Sequence, residues 1–281
     1  LNFLIKNQYE TAKTAVFSWK TAVFSCTTAK FCRYGRICVA ICLRISYNHV
    51  MRSALWEGEM MIDQLEENLT LANYAEHMEE INRLARSRDA SCRIRLADLL
   101  CGFPNPHAKD TLLALAEDAS YLVQTSAIDS LSAFPGDDTL AAAMRLSASR
   151  HPLVRGYAYI CAGMAGRSLG DEERAGLRNR LSAIRETDTF AKICLLEGLV
   201  HLGDETPAAG LIRMFGRCNY RNQCAILNSL SDVYPEISRS SQERIRRFCQ
   251  ELADRDMCAA VQEAYDRLIR ISRHRLYTKT C

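Results

Sequence analysis

Apolar residues recur at helical spacing through the middle of the chain. Val123, Ala127, Leu131 and Phe134 fall on one stripe, and Val154, Ala158, Ala162 and Ala165 on another. A period of three and four residues predicts amphipathic helices, and no stretch alternates in the way of a half-buried strand. Many stripe residues are small, which lets neighbouring helices approach closely. Glycine and proline break the pattern at Gly102 to Pro106, Pro135-Gly136, Gly166 to Gly170, Gly203-Asp204 and Pro235. Asp110, Asp137, Asp171 and Thr206 stand near the expected helix starts, where acids and hydroxyls accept hydrogen bonds from unpaired first-turn amides.

The stripes repeat. Cys92-Arg93-Ile94-Arg95-Leu96, Val123-Gln124-Thr125-Ser126-Ala127 and Val154-Arg155-Gly156-Tyr157-Ala158 each begin 31 residues after the last. The same offset carries Leu100 onto Leu131 and Ala162, and Leu112, Leu113 and Leu115 onto Ala143, Met144 and Leu146, so two helices per unit share the register. Further on, Phe190-Ala191-Lys192-Ile193-Cys194 follows at an offset of 36, and Tyr220-Arg221-Asn222-Gln223-Cys224 at 30. Longer surface loops absorb such drift at little entropic cost, whereas a shifted apolar stripe would misalign a whole interface. Residues 61–88 read as one more, degenerate helix pair. Residues 239–276 read as two amphipathic capping helices, with Glu243/Arg247, Glu251/Arg255, Glu263/Arg267 and Asp266/Arg270 at i,i+4.

A short helix, a turn and a second helix opening on Val-Arg before small apolar residues resembles a HEAT repeat, including the bacterial type first described in phycobilin-lyase-like proteins. His151-Pro152-Leu153-Val154-Arg155-Gly156-Tyr157-Ala158 carries the resemblance best, with His-Pro in place of the usual Asp-Pro. The likeness covers about residues 60–276 and implies an all-α fold: a right-handed α-solenoid of stacked antiparallel helix pairs whose second helices supply a concave face. Asp98, Asp129, Arg155, Glu197 and Asn228 are the candidate binding residues on that face.

Charge and composition divide the chain. Residues 1–50 hold seven Lys/Arg against one acid, leaving 29 against 32 for the rest. They also lack the 31-residue register, duplicate Lys-Thr-Ala-Val-Phe-Ser at 13–18 and 20–25, and start without Met. We read 1–50 as a basic, cysteine-containing extension and 51–281 as the HEAT-like repeat domain with its capping helices. The slightly acidic balance of that domain argues against a dominant phosphate-binding surface. Thirteen cysteines without a CxxC, several at apolar helical positions, fit core packing in a reducing cytoplasm. The longest wholly apolar run near the start, Ile37 to Leu43, is far below the roughly 18 residues a membrane span needs.

Three kinds of chemistry have partial signatures in the sequence. Gly166-Arg167-Ser168-Leu169-Gly170 matches G-x-S-x-G, but a nucleophile elbow needs a strand feeding the turn, and here a helix precedes it. The six histidines are scattered, with no HExxH and no His-Glu dipeptide of the kind that HEAT-like di-iron hydroxylases use, so no metal, cofactor or catalytic residue is assigned. Late arginines such as Arg244, Arg246, Arg247 and Arg270 invite comparison with HEAT-like DNA glycosylases, yet acids interleave with them. The expectation is therefore a non-enzymatic scaffold or adaptor that binds a protein partner on its concave face, with a nucleic-acid-binding or DNA-repair role as the alternative.

Overall fold

A computed structural model describes residues 58–274, with side chains to 273. The expected extension over residues 1–50, and its boundary, lie outside the described residues. Among the described residues every regular element is helical. The first helix, α1, covers 58–68, and a single 3-10 turn, Tyr74–His77, leads into α2 (Met78–Ala85). Then follow α3 (Ala90–Leu100), α4 (Pro106–Leu115), α5 (Tyr121–Leu131), α6 (Asp137–Leu146) and α7 (Pro152–Gly166). The series closes with α8 (Asp171–Ser182), α9 (Thr189–His201), α10 (Thr206–Phe215), α11 (Tyr220–Val233), α12 (Arg239–Leu252) and α13 (Ala259–His274).

The even-numbered helices are the first of each pair and the odd-numbered ones from α3 onward the second. The second helices pack in succession, α3 on α5, α5 on α7, α7 on α9, α9 on α11 and α11 on α13, while each also packs on its own first helix. The described residues thus form an all-α solenoid of stacked antiparallel pairs. The predicted breakers fall in connections or at helix ends, and Gly166 to Gly170 carries the chain from the last residue of α7 to α8, with helix on both sides and no strand to raise Ser168. Asp137, Asp171 and Thr206 are the first residues of α6, α8 and α10, but the side-chain caps are made elsewhere. Asn105 accepts from the Ala108 amide with Pro106 behind it, which places Asp110 inside α4 rather than at its start. Asp89, Asp188, Asn219 and Ser238 likewise cap α3, α9, α11 and α12. The turn before α6 needs Gly136, whose φ of 150° a side chain would resist.

The 31-residue register has a physical counterpart. Arg93, Gln124 and Arg155 occupy the same position on α3, α5 and α7, and each donates to the carbonyl six residues back, at Ser87 (2.5 Å), Asp118 (2.8 Å) and Ser149 (2.9 Å). The two arginines also hold the loop that leads to the next second helix. Arg93 grips the Asp118 carboxylate at 2.7 and 2.9 Å, and Arg155 grips Glu186 at 2.8 and 2.9 Å. Gln124 cannot form such a pair, and at that joint Tyr121 stacks on His151 with ring centroids 4.5 Å apart.

The core runs along the stack in two clusters that meet on α9. Ala191, Leu195 and Leu199 join the cluster that reaches back to α1, whereas Ile193 and Val200 join the one that runs on to α13. Being packed on several sides, α9 is apolar nearly all round, as a buried helix must be. Its crossing with α7 is backbone against backbone. A Cβ on Gly163 would lie 2.4 Å from the Gly198 carbonyl oxygen, and one on Gly198 would lie 2.3 Å from that of Tyr159.

Candidate functional site

A groove of about 670 Å³ runs across five successive second helices, from Asp129 on α5 to Arg267 on α13. The solenoid makes it: successive second helices present one face to the same side, and residues one helical turn apart on each reach into the gap. Its apolar part is Tyr157, Ile160 and Met164 of α7 with Phe190 of α9, all half-buried, and the Tyr157 and Phe190 rings lie 5.9 Å apart. Its polar part comes from Glu197 and His201 on α9, Asn228, Ser229 and Asp232 on α11, and Glu236 just after it.

Of the five residues expected on the concave face, Asp129, Glu197 and Asn228 line this groove. Asp98 lies next to it on α3, close enough for its charge to act on Asp129. Arg155 is placed elsewhere. It sits in the joint between repeats, locked to Glu186, whose Oε2 also accepts from the Tyr159 hydroxyl at 3.0 Å and whose Oε1 also accepts from the amides of Thr187 and Asp188. The guanidinium beside it holds the Glu186 carboxyl down at about 2.

The buried polar centre of the groove is a chain of contacts linking three units. The Ser229 hydroxyl donates to Glu197 Oε2 at 2.5 Å, and Glu197 Oε1 lies 3.7 Å from His201 Nε2. On its other side His201 Nδ1 meets Glu236 Oε2 at 2.8 Å, and Arg167, just past α7, donates to Glu236 Oε1 at 2.8 Å. Burial opposes a charge on His201, but the two carboxylates outweigh it and raise the imidazole pKa above its ordinary value. This arrangement does not activate a nucleophile, because Ser229 donates to a carboxylate and not to the imidazole. Sequence reasoning missed His201, Asp232, Glu236 and Arg267. One signal was available: Glu197 and His201, four apart, are the carboxylate and the imidazole among the buried residues of α9. Arg267 gave none, since its intrahelical neighbour Glu263 was the expected partner, yet it reaches across to Asp232 at 2.6 Å and Asn228 at 3.3 Å.

The groove's carboxylates are unevenly compensated. Asp232 has Arg267, and Glu236 has Arg167 and His201. Asp98 and Asp129 have no cation partner among the described residues. Desolvation by the groove walls, then the charges of Asp98, Glu197 and Asp232, push the Asp129 carboxyl up to about 6, although it still opens to solvent. Desolvation, with the neighbouring carboxylates adding to it, raises the Tyr157 hydroxyl to about 12. Among the described residues no group of three or more His, Cys, Asp or Glu is placed to hold a metal ion, and no helix is long and apolar enough to cross a membrane.

A match to a repeat family agrees with this architecture. A family model for HEAT repeats matches residues 81–163, from α2 into α7. Among solved structures, the crystal structure of an engineered protein from the Northeast Structural Genomics Consortium is 16% identical, with 70% of this chain and 98% of that one covered and a TM-score of 0.35. No curated protein matches the chain.

Proposed function

We propose that the protein is a non-enzymatic helical-repeat scaffold that holds a protein partner on the face built by its second helices. The observation that carries this reading is the groove itself, which crosses five second helices and combines an apolar shelf with polar positions along its length. Such a surface offers an extended partner many shallow contacts, as repeat arrays do in general. The alternative of nucleic-acid binding is disfavoured by the same lining, because Asp129, Glu197, Asp232 and Glu236 face the groove against Arg221 and Arg267, and phosphates would be repelled there. Free, largely buried cysteines such as Cys92, Cys161 and Cys194 support a reducing compartment, for which we propose the cytoplasm. The test is a photo-crosslinking residue at Asn228, with the same residue on the outer helix α8 at Arg178 as control, activated in the native host. Protein adducts specific to Asn228 are expected. Nuclease-sensitive adducts at Asn228, or equal labelling from both sites, would overturn the reading.

A further inference from the structure

Two features of the groove stand side by side. One is the aromatic shelf of Tyr157 and Phe190, and the other is the pair of acids, Asp98 and Asp129, to which the protein supplies no cation among the described residues. The other carboxylates each have a cationic or titratable partner, Asp232 in Arg267, Glu236 in Arg167 and His201, and Glu197 in His201 beside the Ser229 hydroxyl, whereas Asp98 has the Ser126 hydroxyl and no cation. A carboxylate held near like charges and apolar rings is a poor arrangement for the free protein, and an incoming cation relieves it. A planar guanidinium satisfies both features at once, since it stacks on aromatic faces and bonds carboxylates through its fork of N–H groups, whereas an ammonium does only the second well. Resting on the scaffold reading above, we infer that the groove takes an extended, arginine-bearing segment of a protein partner, with a guanidinium against Tyr157 and Phe190 and its N–H groups on Asp129 and Asp98.

The dimensions suit such a segment. Four steps between neighbouring second helices, at about 8–10 Å each, make roughly 30–40 Å, which an extended chain covers in about ten residues. Binding is also linked to protons. The groups facing Asp129 are Asp98 and Cys101 from α3, Tyr157 and Cys161 from α7, Cys194 and Glu197 from α9 and Asp232 from α11, and none of them is a cation. With its carboxyl titrating at about 6 in the free protein, Asp129 is half protonated there, and a bound guanidinium drives that proton off. Affinity for a cationic segment therefore rises as pH goes from 5 to 7.

The experiment is fluorescence anisotropy on the full chain with four labelled ten-residue peptides in a Gly-Ser background, carrying arginines, lysines, glutamates or no charge. The arginine peptide is expected to bind, the lysine peptide at least fivefold more weakly, and the other two not detectably at the same concentrations. Affinity for the arginine peptide should rise severalfold from pH 5 to pH 7. Asp98→Asn with Asp129→Asn should weaken it at least tenfold, while Glu172→Gln, on the exposed start of α8, should leave it unchanged. Tyr157→Leu should remove the preference for arginine over lysine, which keeps the inference testable if the double variant folds poorly. Native-like affinity in a folded double variant, or an equal loss in Glu172→Gln, would overturn the inference. If the Asn228 cross-linker captures protein but the peptides bind without distinction, this inference fails and the scaffold reading stands. If neither captures nor binds, both fall.

Discussion

Gly163 and Gly176 are both helical glycines, and the same substitution should have opposite effects at the two. At Gly176 on α8 a Cβ would meet nothing within 4 Å, so Gly176→Ala loses only backbone freedom in the unfolded chain and should stabilise by about 0.5–1 kcal/mol. At Gly163 the obstacle is the Gly198 backbone, with its oxygen at 2.4 Å, its Cα at 2.6 Å and its carbonyl carbon at 2.9 Å from the added Cβ. Gly163→Ala must push α7 and α9 apart, an overpacking cost of about 1–3 kcal/mol or more. Urea unfolding followed by circular dichroism would read both signs. The sequence made both glycines visible, but neither its periodicity nor its composition distinguished them, because the difference lies in how near a neighbouring helix comes.

The joint between α7 and α9 lies at the scale of elements, and Arg155 is its working part. With side-chain exposures of 18% and 4%, Arg155 and Glu186 form a largely buried pair, and removing one partner of such a pair costs about 3–5 kcal/mol. Arg155→Ala should fall in that range. Arg155→Gln should cost less, because Gln124 on α5 shows that an amide spans the same gap to the carbonyl six residues back. The pair's pH dependence follows from the carboxylate: with its pKa lowered in the fold to about 2, Glu186 contributes stability that is fully present above 4.5 and lost as pH falls toward 2. Melting wild type and both variants at pH 7 and pH 3 checks this, the gap between them narrowing at pH 3. The expectation that Arg155 faces a ligand came from the 31-residue register, which identifies equivalent positions without saying what each touches. Its partner stands in the 183–188 connection, where the register slips to an offset of 36 and no alignment of repeats could find it. The second-helix positions of Asp129, Glu197 and Asn228 were legible because a repeating stripe fixes which face of each helix is buried and which remains. His201 was missed although Glu197 stands four residues before it, since a histidine on an apolar helix reads as core until Glu236, from the following connection, is seen beside it.

For the molecule as a whole, the two clusters meeting on α9 govern how it comes apart. Stability in a stacked array is a sum of units and nearest-neighbour interfaces, so a defect weakens its own side first. Leu230→Ala, in the later cluster, should raise amide hydrogen exchange across α10 to α13 while α3 to α5 stay protected, and Leu100→Ala should do the reverse, each at a cost of about 2–5 kcal/mol. Uniform exchange along the chain in both variants would show the array to be a single cooperative unit instead. The α7–α9 crossing sets a different kind of limit, best put in the language of suppressor genetics. When two side chains clash, a smaller partner restores the fit, and second-site revertants appear at the facing residue. At this crossing each added Cβ would strike main chain, the Gly198 peptide in one direction and the Tyr159 carbonyl in the other. No replacement of the facing residue can remove a backbone atom, so a lesion at Gly163 or Gly198 has no allele-specific suppressor across the interface, and a selection for restored folding should return only true revertants or globally stabilising changes elsewhere in the array.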